Sequence, residues 1–233
     1  MKIKHIEKTT LVDFPGKIAC TIFIFGCNFR CGFCYNPSLV IREESKDLQE
    51  EEILDFLNVR KGDLDGVCFT GGEPLLSLDR SFLEKVRAFG YKIKIDTNGS
   101  FPERLSDLVN SELVDYAAMD IKGPKEDYEN IVRVRVEMDK LEESMRIISN
   151  LPEYEFRTTI VESIHTAEKV EQMLKWICAV IGKRIRLFSL QGFENMGSFV
   201  DDKFKEEKNT GAAYLEELKV IAKKYCENVK IRA

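Results

Sequence analysis

Short runs of apolar and β-branched residues alternate along the chain with stretches in which apolar positions recur every three or four residues. The runs at Lys17–Phe25, Leu64–Thr70, Tyr91–Thr97, Leu113–Ile121, Tyr154–Val161 and Ile185–Leu190 predict six strands. Helical stretches lie between them. One places Val170, Met173, Leu174, Ile177 and Ile181 on a single face, and another near the C-terminus places Tyr214, Leu218, Ile221 and Tyr225 together. Strands separated by covering helices pair in parallel, because each helix returns the chain to the same edge of the sheet. Six such units predict an α/β fold, an incomplete (β/α)6 TIM-like barrel. No internal repeat, low-complexity tract or linker interrupts the pattern, so residues 1–233 are expected to form a single domain, with one polar loop around Val200 to Asn209.

With 233 residues and 44% hydrophobic content, the chain can bury one sizeable core. A net charge of −5 without a basic block argues against a nucleic-acid groove. The start, MKIKHIEKTTLVDF, has no long apolar segment, and no run approaches the ~18 apolar residues of a membrane span, so a cytoplasmic protein without membrane partners is expected. Seven cysteines, an odd number, argue for reduced thiols or metal ligands rather than a disulfide framework.

Three of those cysteines fall together. Gly26-Cys27-Asn28-Phe29-Arg30-Cys31-Gly32-Phe33-Cys34-Tyr35-Asn36-Pro37 follows the first predicted strand with a CxxxCxxC spacing. A cubane iron-sulfur cluster takes four ligands, so three close thiolates without a fourth leave one iron open to a substrate. Zinc knuckles and merely buried thiols are the alternatives. Zinc ligands usually come in two pairs, and the only histidines, His5 and His165, are not so placed. Cys20, Cys68, Cys178 and Cys226 stand singly and read as core residues.

Three polar constellations close the next three predicted strands. In Thr70-Gly71-Gly72-Glu73-Pro74 the glycines let backbone approach a ligand and the carboxylate can accept from an ammonium group; the same residues also make an ordinary tight turn. Asp96-Thr97-Asn98-Gly99 reads equally as a strand exit with Gly99 at positive φ, and Asp120 and Lys122 in Asp120-Ile121-Lys122 as paired loop charges. Position favours a site, because parallel barrels open their active sites at the C-terminal ends of the strands. On the fifth and sixth strands Arg157 and Gln191 are candidates to close the rim, although Arg157 could face outward and Gln191 could belong to a loop. His165 stands just before a helix and reads as a cap-region residue without chemistry. The Glu43-Glu44, Glu50-Glu51-Glu52 and Lys205-Glu206-Glu207-Lys208 clusters read as solvated faces.

CxxxCxxC with an aromatic before the third cysteine resembles the signature of the radical S-adenosylmethionine superfamily. The resemblance implies a barrel of the radical SAM type in which Cys27, Cys31 and Cys34 hold a 4Fe-4S cluster whose open iron chelates S-adenosylmethionine. It implies that Phe33 and Tyr35 pass near the adenine and that Gly71, Gly72 and Glu73 meet the methionyl amine. Asp96, Thr97, Asp120 and Lys122 are similar to the glycyl-radical activating branch, where carboxylates flank the ligand's carboxylate end and a monovalent cation. Two carboxylates beside a third would repel, which makes such a cation a sensible neutraliser.

The leader Thr10-Leu11-Val12-Asp13-Phe14-Pro15-Gly16-Lys17 resembles anaerobic ribonucleotide reductase activating proteins. Phe14, Lys17, Tyr35 and Gln191 depart from the residues usual in pyruvate formate-lyase activating enzyme. The short span from Cys34 to Thr70 leaves no room for the ferredoxin-like insert of dehydratase activases. The resemblance therefore implies reductive cleavage of S-adenosylmethionine to a 5'-deoxyadenosyl radical that makes a glycyl radical on a partner, most closely anaerobic ribonucleotide reductase. Flavodoxin or ferredoxin is the implied electron donor. The alternatives are an activase of pyruvate formate-lyase and a small-molecule enzyme such as a 7-carboxy-7-deazaguanine synthase.

Overall fold

The structure, a computed structural model, describes residues 1–41 and 46–232. The Glu43-Glu44 cluster lies outside the described residues. Eight strands form one sheet in chain order: β1 (Ile3–Thr10), β2 (Ala19–Ile24), β3 (Gly66–Gly71), β4 (Lys92–Thr97), β5 (Tyr116–Asp120), β6 (Tyr154–Ile160), β7 (Ile185–Gly192) and β8 (Cys226–Arg232). β1 runs antiparallel to β2, and every later neighbour is parallel. The six predicted strands are β2 to β7, so the incomplete barrel stands with one extra strand on each edge. Those two strands carried no readable alternation. β1 buries only Ile3 and Thr10, and β8 only Cys226, because an edge strand pairs on one side and leaves most of its side chains in water.

The helices are α1 (Pro37–Val40), α2 (Glu50–Val59), α3 (Arg80–Ala88), α4 (Pro102–Asn110), α5 (Tyr128–Val132), α6 (Met138–Ser149), α7 (Ala167–Ile181) and α8 (Ala212–Ala222). The longest, α7, starts where the Thr166 hydroxyl accepts from the Lys169 N–H and ends at Gly182 in the left-handed region. It buries Val170, Met173, Leu174 and Ile177 against the sheet, with Ile181 half-buried at the margin. α8 differs from the expected face. Leu215, Leu218 and Ala222 are buried, Tyr214 and Ile221 flank them, and Tyr225 lies beyond the helix. The tyrosine hydroxyls explain the rotation: Tyr214 donates to the His165 carbonyl and Tyr225 to Glu171, so both rings need a polar margin. The expected loop at 200–209 contains a short 3-10 turn, Asp202–Glu206. Glu50, Glu51 and Glu52 occupy the first turn of α2, where the helix dipole favours them, and Glu52 accepts from the Gln49 N–H.

Strand alternation divides the side chains into two environments. Ile22, Phe69, Ile93, Ile95, Met119, Phe156 and Phe188 belong to the large core shared with the helices. The opposite faces carry Thr21, Cys68, Lys94, Asp96, Tyr116, Asp120, Glu155, Arg157, Ser189 and Gln191, so the barrel interior is largely polar. Phe14, brought in by the leader, packs on Ala19, Tyr116 and Ala118 and stoppers the N-terminal end of this interior. Gly66, the first residue of β3, leaves room for that ring: an added Cβ would lie 2.8 Å from it. Full burial of such a ring stabilises by about 1.5–3 kcal/mol. Among the described residues no helix is long and apolar enough to cross a membrane.

Candidate active site

The C-terminal ends of the parallel strands open into a cavity of about 890 Å³. The loop after β2 forms one wall and brings Cys27, Cys31 and Cys34 to it. That loop is held from two sides. The Arg30 N–H donates to the Val132 carbonyl at 2.9 Å, while Val200 and Asp201 donate backbone N–H groups to the Cys34 and Gly32 carbonyls. Gly32 allows this packing, since a Cβ there would lie 2.6 Å from the Phe204 ring. Burial pushes the Cys27 thiol up to about 12 and Cys31 up to about 11, and it raises Cys34 too. Metal must therefore displace protons from thiols that are neutral on their own. The donor set suits an iron-sulfur cluster: three sulfurs on one cavity wall, with the Phe29 N–H donating to Cys27 Sγ at 3.4 Å. The remaining four cysteines stand outside the cavity wall, three of them buried.

Phe33 and Tyr35 flank the third cysteine differently. Phe33 is buried, edge-on to the rings of His165 and Phe204, and reaches the cavity. Tyr35 is partly exposed at the rim, where its hydroxyl accepts from Gln191 Nε2 at 3.3 Å. Gln191 lies on β7 itself, not in a loop. His165 immediately precedes Thr166, the N-cap of α7, and so stands in the cap region. Fully buried, it accepts from the Val161 N–H through Nδ1 and donates through Nε2 to the Lys122 carbonyl, and burial brings its pKa down to about 4. It ties the end of β6 to the loop that carries Lys122.

The glycines of the second constellation serve the backbone first. Gly71 sits at φ +121°, and a Cβ on it would overlap the Ile24 backbone; one on Gly72 would overlap the Gly26 carbonyl. This closeness lets the Gly72 N–H donate to the Ile24 carbonyl and the Glu73 N–H to the Gly26 carbonyl, lacing β3 to the start of the cysteine loop. Both glycines line the cavity and Glu73 does not. Its carboxylate is fully buried behind the wall, accepting from the Leu75 N–H at 3.0 Å, the Thr97 hydroxyl at 2.9 Å and the Asn98 N–H at 2.6 Å. Burial pushes its pKa up to about 7 against the pull of those donors. In the structure Glu73 fastens two strand ends together, where the sequence suggested a direct ligand contact. Thr97 lines the cavity and spends its hydroxyl proton on Glu73, and Gly99 follows at φ +83°.

Asp96, Asp120, Lys122 and Arg157 converge on the cavity floor. Arg157 faces inward from β6 and spans both carboxylates, with Nη1 2.9 Å from Asp96 Oδ2 and Nε 2.5 Å from Asp120 Oδ1. Lys122 reaches Asp120 at 3.4 Å. Burial opposes ionisation of Asp120, but Arg157 and Lys122 outweigh it and hold the carboxyl well below the usual range; burial is likewise outweighed at Asp96, which Arg157 and Lys94 lower. Lys94 was not foreseen. It is buried inside the barrel, bonded to Asp96 and 3.6 Å from Cys68 Sγ. The signal existed, since a lysine between Ile93 and Ile95 shares a strand face with Asp96. Also unforeseen in the lining are Asp13, which accepts from the Thr21 hydroxyl at 2.6 Å, and Lys230 and Arg232 of the missed strand β8.

Comparison with known proteins places this geometry. The model of the radical SAM superfamily matches residues 21–177. Over 99% of this chain and 95% of its own length, a Methanocaldococcus jannaschii protein named "Putative glycyl-radical enzyme activating enzyme" is 31% identical. A pyruvate formate-lyase-activating enzyme of Clostridium pasteurianum is 38% identical over 42% of this chain and 43% of its own. Among solved structures, QueE from Escherichia coli superposes with a TM-score of 0.60 at 13% identity, covering 100% of this chain and 93% of that one. The cysteine loop, the rim and the barrel beneath them are those of an enzyme of the radical SAM superfamily, to which this chain belongs, and it is homologous to glycyl-radical enzyme activating enzymes.

Proposed function

We propose that this chain, acting as a single domain, generates a glycyl radical on a partner enzyme, and that the partner is anaerobic ribonucleotide reductase. The observation that carries the reading is the nearly full-length likeness to a protein named as a glycyl-radical enzyme activating enzyme. The Thr10–Lys17 leader supports the choice of partner. We place the reaction in the cytoplasm, with flavodoxin or ferredoxin as electron donor.

When bound, the 4Fe-4S cluster supplies the single electron that breaks the S–C5' bond of S-adenosylmethionine, giving methionine and a 5'-deoxyadenosyl radical. The chain's residues do the rest. Cys27, Cys31 and Cys34 would hold the cluster. Lys122 would offer positive charge for the methionyl carboxylate, Arg157 would hold Asp96 and Asp120 beneath it, and Gly71 and Gly72 leave backbone open to the amine. Phe33 and Tyr35 wall the adenine. A glycine Cα of the partner, admitted to this cavity, would give up one hydrogen atom to that radical, so that a backbone radical and 5'-deoxyadenosine result. Glycine suits this step because it has no side chain to obstruct entry into the barrel mouth.

The test mixes the reduced, cluster-loaded protein with S-adenosylmethionine and the anaerobic reductase under strict anaerobiosis. A glycyl-radical doublet in the electron paramagnetic resonance spectrum is expected. If no such doublet forms with any glycyl-radical enzyme of the same genome, and 5'-deoxyadenosine accumulates only with a small metabolite, the proposal is wrong.

A further inference from the structure

Two carboxylates facing one another near a third, on the ligand, need neutralising charge. In this chain all four oxygens of Asp96 and Asp120 already have a cationic N–H partner. Asp96 Oδ1 takes Lys94 Nζ and Asp96 Oδ2 takes Arg157 Nη1 at 2.9 Å. Asp120 Oδ1 takes Arg157 Nε at 2.5 Å, while Asp120 Oδ2 takes Arg157 Nη2 at 3.3 Å and Lys122 Nζ at 3.4 Å. An alkali ion binds through oxygen lone pairs, so it would have to evict the guanidinium or sit against it at a Coulombic cost.

We propose that Lys94 and Arg157 take the place of a monovalent cation at the Asp96–Asp120 pair, so that this chain binds S-adenosylmethionine without needing sodium or potassium. Two fixed cations answer two carboxylates. Lys122 is shared, because its charge also faces Cys31 and Cys34. Of the other carboxylates facing the interior, Glu155 has its own counter-ion in Arg232 at 2.9 Å, and Asp13 accepts from the Thr21 hydroxyl. Lys94 has no path out: its side chain is 1% exposed, with Cys68 Sγ at 3.6 Å and the Tyr116 ring centroid at 5.7 Å. Lys94 is thus a positioning residue. It fixes Asp96, and Asp96 holds one arm of Arg157 while Asp120 holds the other. The inference rests on the shared radical SAM chemistry and is independent of which partner receives the radical.

The experiment measures the affinity of the cluster-loaded protein for S-adenosylmethionine by calorimetry, with choline chloride replaced by sodium or potassium chloride at equal ionic strength. The wild type is expected to change by less than about twofold. Arg157→Gln is expected to bind about ten-fold more weakly in choline and to regain most of the loss when potassium or sodium is supplied. Lys94→Met should behave likewise, and thermal melting shows whether that buried change folds; if it does not, Arg157→Gln decides alone. Tightening of the wild type by about ten-fold on adding either ion overturns the proposal. So does an Arg157→Gln variant as tight as wild type in choline. A loss in Arg157→Gln that neither ion restores overturns it as well, since the guanidinium would then do something other than a cation's work.

Discussion

Replacing Glu73 by glutamine tests whether this residue touches the ligand or fastens the rim. The carboxylate is fully buried and accepts from two backbone N–H groups and one hydroxyl. A glutamine has the same shape but only one acceptor oxygen. If its carbonyl keeps Leu75 and Thr97, its amide N–H groups confront the Asn98 N–H, leaving a buried donor unpaired at a cost of about 1–3 kcal/mol. Glu73→Ala leaves both N–H groups unpaired, about 2–6 kcal/mol before any cavity penalty. For a chain of this size, each kcal/mol lowers the melting temperature by roughly 2–4 °C. Thermal or urea unfolding of both variants at pH 8, where the wild-type carboxylate is ionised, reads the difference directly. The expected order is wild type, then Glu73→Gln, then Glu73→Ala, with S-adenosylmethionine affinity of the folded glutamine variant within about threefold of wild type. A glutamine variant as stable as wild type that has lost the ligand would refute the reasoning and make Glu73 a direct contact.

Other substitutions probe the same rim. Cys27→Ala, Cys31→Ala and Cys34→Ala should each lose the visible absorbance of the reconstituted cluster, whereas Cys178→Ala, outside the cavity wall, should keep it; four-iron content retained in Cys31→Ala contradicts the ligand set. Gly72→Ala forces a Cβ into the Gly26 carbonyl and should destabilise by about 3 kcal/mol, seen in the unfolding midpoint; a neutral result would mean that the two strand ends can separate freely. His165 is buried neutral with its pKa brought down to about 4, against an unfolded value of 6.5. A depressed base binds protons in the unfolded state first, so its stability is complete above 6.5 and lost as pH falls toward 4, at about 1.4 kcal/mol per pH unit. Urea unfolding between pH 7.5 and 4.5 should show that slope in wild type and a flatter one in His165→Gln; equal slopes would exclude it.

What the sequence disclosed, and what it hid, follows from the range of the interactions. The strands β2 to β7 were readable because each is an apolar run that local pattern detects, agreeing with the structure to within three residues at each end. That the three cysteines share one cavity wall was readable because their close spacing keeps them on one loop. Hidden features depend on partners far along the chain. Arg157 meets Asp120 across 37 residues and Asp96 across 61, so nothing near Phe156-Arg157-Thr158 shows that the guanidinium turns inward. The bonds that Glu73 makes to Thr97 and Asn98 were hidden because those donors lie 24 and 25 residues away. Lys94 was overlooked between Ile93 and Ile95, although it shares a strand face with Asp96. β1 and β8 escaped because polar edge strands resemble loops, and with β8 went Lys230 and Arg232 of the cavity lining.

The central claim is that this cavity delivers an adenosyl radical to a glycine of a protein partner. It is tested most directly by preparing the anaerobic reductase with glycine deuterated at Cα, incubating it with the reduced, cluster-loaded protein and S-adenosylmethionine, and weighing the 5'-deoxyadenosine by mass spectrometry. The account predicts a product heavier by one deuterium, formed in step with the glycyl-radical signal. Unlabelled 5'-deoxyadenosine from the labelled partner, with deuterium acquired only from a labelled small metabolite, would contradict it.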